Sequence, residues 1–206
     1  MLANIITDFT DRLDSLSANW WFLIIIFVVA VLDSVIPILP SETTVIIGGV
    51  AAGQGNQSIV AVILVAAAGA FCGDNLAYFI GHHFRDRVDR WADRRPSRRR
   101  RLDGAAHQIR KRGGVLFVTA RFVPAGRTIV TLSSGVTNQP HRWFAGWIAI
   151  ATLIWATYAG LLGFLFGQTF ANNHTIAFVL AFAAALAISG VTELVRWVLE
   201  RRKTAH

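Results

Sequence analysis

Two proline-broken stretches place ionisable side chains inside long apolar runs, and this limits the possible folds sharply. The first is Asp33-Ser-Val-Ile-Pro37-Ile-Leu-Pro40-Ser-Glu42-Thr43, and the second is Arg121-Phe-Val-Pro124-Ala-Gly126-Arg127-Thr128. A charge at membrane depth costs at least about 2.5–3.5 kcal/mol on insertion scales, so such residues are kept mainly for function. One stretch carries two acids and the other two arginines, and they are far apart in the chain. The pattern points to a polar site assembled at the membrane midplane from two halves of the chain.

The chain has 206 residues, 54% of them hydrophobic, with a mean hydropathy of +0.49 and only 16% charged. A soluble domain of this composition would be unusual. Several runs reach the ~20 residues that span a bilayer as a helix. A β-barrel would need period-two alternation, whereas Ile59 to Gly69 and Thr175 to Ser189 are apolar on every side. The expected fold is an all-α polytopic membrane protein forming a single membrane domain over residues 1–206.

The formal net charge of +8 is concentrated. Residues 85–112 hold twelve basic side chains against Asp86, Asp89, Asp93 and Asp103. This reads as a basic cytoplasmic loop obeying the positive-inside rule, with anionic lipid headgroups as its partner and nucleic acid set aside. The single cysteine, Cys72, excludes an intrachain disulfide and is expected as a small core residue. No cofactor or metal is expected. His82 and His83 are adjacent and point apart on a helix, and no Cys/His/carboxylate cluster is evident. The first twenty residues carry Asp8, Asp11 and Asp14 and lack the basic start and cleavage site of a secretory leader.

Residues 1–19 space Leu2, Ile5, Ile6, Phe9, Leu13 and Leu16 as one face of an interfacial amphipathic helix. Trp20 and Trp21 mark a headgroup boundary. Four spans are expected, at about 20–36, 57–83, 142–168 and 174–198. In the third, Gly160, Gly163 and Gly167 would allow close helix contact. The interrupted segments 37–56 and 113–140 read as re-entrant hairpins, because broken backbone at membrane depth is tolerated only when buried in protein or facing a wet cavity. Pro40, Pro124 and Gly126 mark their breaks. The halves 20–84 and 113–168 then form an inverted repeat, followed by a last span and basic tail over 174–206. Both termini and the arginine-rich segment fall on the cytoplasmic side.

Arg121 and Arg127 are the foremost candidates for chemistry. The planar guanidinium fork suits bidentate phosphate binding, while snorkelling to the headgroups competes as a reading of Arg121. Glu42 either pairs with an arginine or carries a proton. Asp33 has the same options, with a solvated or capping role beside them. Asp74 lies four residues before Tyr78 on one helix face, and is either a further proton site or a structural acceptor. No catalytic residue is assigned, because no histidine falls in either hairpin to serve a phosphatase mechanism.

These motifs together resemble the DedA family, also called the SNARE-associated or VTT-domain family. The resemblance rests on Asp33 with Pro-x-x-Pro-Ser-Glu42, on Gly73-Asp74…Tyr78…Gly81, and on Arg121-Phe-x-Pro-x-x-Arg127 with Ser134-Gly135. It covers roughly residues 25–168. It implies opposed re-entrant hairpins in a bacterial inner-membrane protein that flips undecaprenyl phosphate, coupled to a proton or other ion gradient. Phospholipid scrambling is implied by the eukaryotic relatives. Asp33 and Glu42 match the family's acidic pair, and Arg121 and Arg127 its arginine pair. Asp33 stands where glutamate is frequent, and His82 stands where an arginine commonly follows Gly81. Homo-oligomerisation is allowed for.

Overall fold

A computed structural model describes residues 19–36, 41–121 and 126–169. Among them are seven α-helices and no strand: α1 Trp21–Val35, α2 Ser41–Gly53, α3 Ile59–His83, α4 Arg85–Asp93, α5 Pro96–Ala120, α6 Gly126–Val136 and α7 His141–Thr169. The expected N-terminal interfacial helix, the last span, and the breaks at Pro40 and Pro124 lie outside the described residues.

Two helices, α3 and α7, are long and apolar enough to cross a membrane. Their 25 and 29 residues measure about 37 and 43 Å at 1.5 Å per residue. They match the second and third expected spans. The first expected span corresponds to α1, whose 15 residues reach only about 22 Å, short of a ~30 Å hydrocarbon core.

Residues 85–112, expected as a loop, are helical for nearly their whole length. After Phe84 they form α4, and from Pro96 they form the first two-thirds of α5. Proline at the first helical position, preceded by the extended Arg95 (φ −148°, ψ 126°), explains where α5 begins. The helix then runs unbroken through Gly113 and Gly114, so no boundary falls at 113. It ends at Ala120, and α6 opens at Gly126.

The chain divides into two compact units. In the first (described residues 19–26, 41–65 and 156–169), glycines set the packing of α2 on α7. A Cβ on Gly49 would collide with the Gly160 carbonyl, and one on Gly163 with the Ile46 carbonyl. The sequence expectation for Gly160, Gly163 and Gly167 thus holds, since each would bring an added Cβ against a neighbouring helix. Ile26, Val45, Ile46 and Val62 fill the core of this unit.

The second unit comprises, among the described residues, 27–36, 66–121 and 126–155. Helix α3 is its axis. Ala66, Ala70, Gly73, Asp74, Ala77, Tyr78 and Gly81 form the buried face, while Leu76 and Phe79 lie on an exposed apolar stripe suited to lipid. Cys72 is on that exposed stripe, not in the core, because two residues turn the helix by about 200° and put it on the side opposite Asp74. The α3 backbone meets α1 at Gly73, where a Cβ would lie 2.6 Å from both the Ser34 Cβ and the Val31 carbonyl. It meets α6 at Gly81 and Gly135, where added Cβ atoms would collide with the Leu132 and Tyr78 carbonyls respectively. Tyr78 donates a 2.6 Å hydrogen bond to the Gln139 carbonyl and packs on Phe144, tying α3 to the start of α7. Asn138, in the left-handed region at φ 51°, makes the turn between α6 and α7.

Gly81→Val should therefore cost about 1–3 kcal/mol by overpacking and lower the thermal unfolding midpoint in detergent. Gly146→Ala, where an added Cβ meets nothing within 4 Å, should leave the midpoint unchanged or raise it. Equal midpoints for both variants would refute the close α3–α6 approach.

Candidate functional site

Four charged side chains converge within the second unit. Asp33 lies in the last turn of α1, Asp74 in the middle of α3, Arg121 directly after α5, and Arg127 in the first turn of α6. The glycine contacts explain the convergence. With Gly73 against α1 and Gly81 against α6, Asp74 sits on the α3 face that both helices approach.

The innermost pair is Arg121 with Asp74. A guanidinium Nη2 donates a very short hydrogen bond to Asp74 Oδ2. The arginine side chain is 1% exposed and the aspartate fully buried. The guanidinium also lies 5.7 Å from the buried Trp155 ring, within cation–π range. Arg121 stands at the carboxyl end of α5, where a cation complements the helix dipole. Its Nε and Nη1, and Asp74 Oδ1, are buried and make no hydrogen bond among the described residues.

The outer pair is Arg127 with Asp33. Nη2 of Arg127 lies 2.9 Å from Asp33 Oδ2 and 2.6 Å from the Asp33 backbone carbonyl. Both side chains are 13% exposed. Nε of Arg127 is 3.8 Å from Asp74 Oδ1, an ion pair that links the two halves of the cluster. The Thr128 hydroxyl donates to the Ser34 carbonyl at 3.1 Å. The carbonyls of residues 33 and 34 belong to the last turn of α1, where helical carbonyls run out of donors from their own helix. The first turn of α6 supplies donors instead, so one set of contacts caps α1 and fixes Arg127.

Four of the expected site residues are thus brought together: Asp33, Asp74, Arg121 and Arg127. Arg127 is paired to two aspartates. Glu42 belongs to the first unit, half-buried in the first turn of α2, where an acid complements the helix dipole. Gly126 opens α6. Ser34, Thr128 and Trp155 also take part and were not singled out from the sequence. For Ser34 and Thr128 the only signal was adjacency to a charged candidate. Trp155 gave none, being one aromatic among many in an apolar span. Among the described residues, no three His, Cys, Asp or Glu side chains are grouped as a metal would require.

A unit of apolar helices closing on a buried, charge-balanced Asp/Arg cluster fits a helical membrane protein that holds a polar cluster in its interior. The VTT domain family profile matches residues 39–165, more than half of the chain, and the chain belongs to this family, the DedA family. Protein DedA of Escherichia coli (strain K12) is 24% identical over 182 residues, covering 85% of this chain and 83% of that protein. Undecaprenyl phosphate transporter A of Staphylococcus aureus is 24% identical over 214 residues, covering 98% and 99%. The protein of the same name from Bacillus subtilis is 22% identical over 171 residues, covering 82% and 85%. No solved structure matches.

The two ion pairs should respond differently to neutralisation. Asp74→Asn strands a buried guanidinium and should cost about 3–5 kcal/mol. Asp33→Asn removes a partner from the more exposed arginine, which keeps its bond to the Asp33 backbone carbonyl, and should cost distinctly less. Thermal unfolding of the two variants in the same detergent checks the order; a larger loss for Asp33→Asn would reverse the assignment of inner and outer pair.

Proposed function

We propose that this protein moves a phosphate-bearing lipid across the bacterial inner membrane, and that the lipid is undecaprenyl phosphate. The observation that carries this reading is the Arg127–Asp33 pair. It puts a guanidinium fork at the accessible edge of a membrane-buried cluster whose charges sum to zero. A lipid phosphate matches the geometry of the carboxylate it would displace. Arg127 takes the phosphate, while Arg121, held by Asp74 and Trp155, offers further donors at the buried side. The lipid tail remains in the bilayer. The names of the Staphylococcus and Bacillus relatives support this choice of lipid.

A phosphate entering a neutral cluster brings negative charge into a low-dielectric site. A proton on Asp33 both releases Arg127 and keeps the balance. Coupling to a proton gradient follows from that arithmetic, with Asp33, Asp74 and Glu42 as the carboxyl groups involved. The proline-interrupted segments about residues 37–56 and 113–140 are proposed as re-entrant hairpins of an inverted repeat, with both termini and residues 85–112 cytoplasmic. The reaction changes a lipid's leaflet and leaves its covalent structure intact, so the protein is read as a transporter and not an enzyme.

A leaflet-exposure assay in liposomes, comparing undecaprenyl phosphate with ordinary phospholipids, tests the reading directly. Arg127→Lys keeps the charge and loses the fork. It should insert and fold normally yet flip the lipid at least about tenfold more slowly, the equivalent of one charge-assisted hydrogen bond. Normal flipping by this variant would exclude bidentate recognition. Glu42→Gln, which mimics the protonated acid, should lose its response to a pH gradient; an undiminished response removes Glu42 as carrier. For topology, Arg98→Cys in a Cys72→Ser background should react with impermeant thiol reagents only from the cytoplasmic side, and labelling from the periplasm would invert the arrangement.

A further inference from the structure

Helix α4 and the start of α5 distribute their charges unevenly. Arg99 gathers three of the four acids, lying 3.1 Å from Asp89, 3.3 Å from Asp93 and 3.4 Å from Asp103. Asp89 is also 3.5 Å from Arg85. Arg87, Arg94, Arg95, Arg98, Arg100 and Arg101 make no ion pair among the described residues. Two of these lie over aromatic rings instead: Arg87 over Phe84 at 5.2 Å and Arg98 over Trp91 at 4.3 Å. Both rings are themselves exposed, at 41% and 50%. Phe84, Arg87 and Trp91 follow one another at helical spacing and share one face of α4.

We infer that this face is a docking surface for an anionic bilayer, with α4 lying along the headgroups. Lipid phosphates would meet Arg87, Arg94 and Arg98, and the Phe84 and Trp91 rings would sit at the headgroup–acyl boundary. The charge complementarity is one-sided, because three of the four acids are already committed to Arg99 and Arg85, leaving Asp86 alone against the remaining arginines. The depth is set by connectivity. Phe84 is the only residue between the apolar helix α3, ending at His83, and α4, starting at Arg85, so α4 starts at the rim of a membrane-spanning helix. Half-exposed aromatic rings beside arginines are the composition that partitions into this interfacial layer. A nucleic acid would use the arginines but would leave the rings, next to the end of α3, without a role. This inference is independent of which lipid, if any, the intramembrane cluster carries.

Hydrogen exchange read by mass spectrometry tests it on the full chain in nanodiscs of phosphatidylcholine, with and without phosphatidylglycerol. Amides of α4 and the first turns of α5 should exchange about tenfold more slowly when phosphatidylglycerol is present, and the difference should shrink at high salt. Exchange in α3 and α7 should be the same in both. The triple variant Arg87→Gln/Arg94→Gln/Arg98→Gln should lose the lipid-dependent slowing while keeping the α3 and α7 pattern. Trp91→Ala should lose part of it. Equal exchange of α4 in the two lipid compositions overturns the inference. So does slowing that requires an added RNA oligonucleotide, and Trp91→Ala with full protection overturns the seating of the ring.

Discussion

The buried contact between Asp74 and Arg121 is the constraint on which the second unit depends. Each ion alone would carry an effective desolvation penalty of several kcal/mol, and their attraction offsets it only with good geometry. The surroundings supply that geometry. Gly73 lets α1 close on α3, Gly81 and Gly135 let α6 close on it, and Trp155 presents a ring to the guanidinium. Without those small residues the helices could not approach closely enough for Arg121 and Arg127 both to reach Asp74. The glycines of α3 and α6 are thus part of the electrostatics as much as of the packing.

The cluster also has a gradient of commitment. Arg121 is enclosed, paired to a buried acid and placed at the carboxyl end of its own helix, where its charge is favourable. Arg127 is the reverse: a cation in the first turn of α6, where the helix dipole opposes it. Its position is made acceptable by Asp33 and by the terminal carbonyls of α1. A group held by an external acid and by backbone oxygens, at the edge of the protein interior, is the one suited to exchanging partners. Asymmetry of this kind separates an enclosed arginine from a more accessible one without any difference in residue type, and the proposed function assigns the phosphate to the second.

The sequence made the site legible because charge inside an apolar run is rare, and four of the five ionisable candidates do lie together. The helical class and the two longest spans were readable for a similar reason, since long apolar runs leave little else possible. Pairing was not readable. Nothing in the spacing told that Asp33 and Asp74 would share the arginines, because contacts across 94 and 47 residues depend on which helix faces meet. Residues 85–112 looked like a loop because charge density masks helical periodicity. The helical state there is supported locally by Pro96 at the amino end and by the Arg99–carboxylate network, features that a hydropathy pattern does not register. Cys72 was misjudged for a related reason: an apolar run says that a segment is buried in something, not whether protein or lipid surrounds a given residue.

Charge is partitioned along this chain in a way that links its two polar regions. Residues 85–112, with twelve basic side chains and four acids, carry the whole of the formal net charge, and the remaining eight basic and eight acidic residues cancel. Within the described apolar part of the second unit, the cancellation is local: two aspartates and two arginines lie in direct contact. A neutral cluster can be assembled at membrane depth because no net charge has to be desolvated. Any anion admitted to it must then be matched, by displacing a carboxylate, by bringing a proton, or both. Surplus positive charge in the cluster would bind phosphate more tightly and release it less readily, whereas a transporter has to release its cargo. Placing the surplus at the surface and neutrality in the interior would reconcile the proposed attraction of anionic lipid at the membrane face with the proposed reversible binding inside.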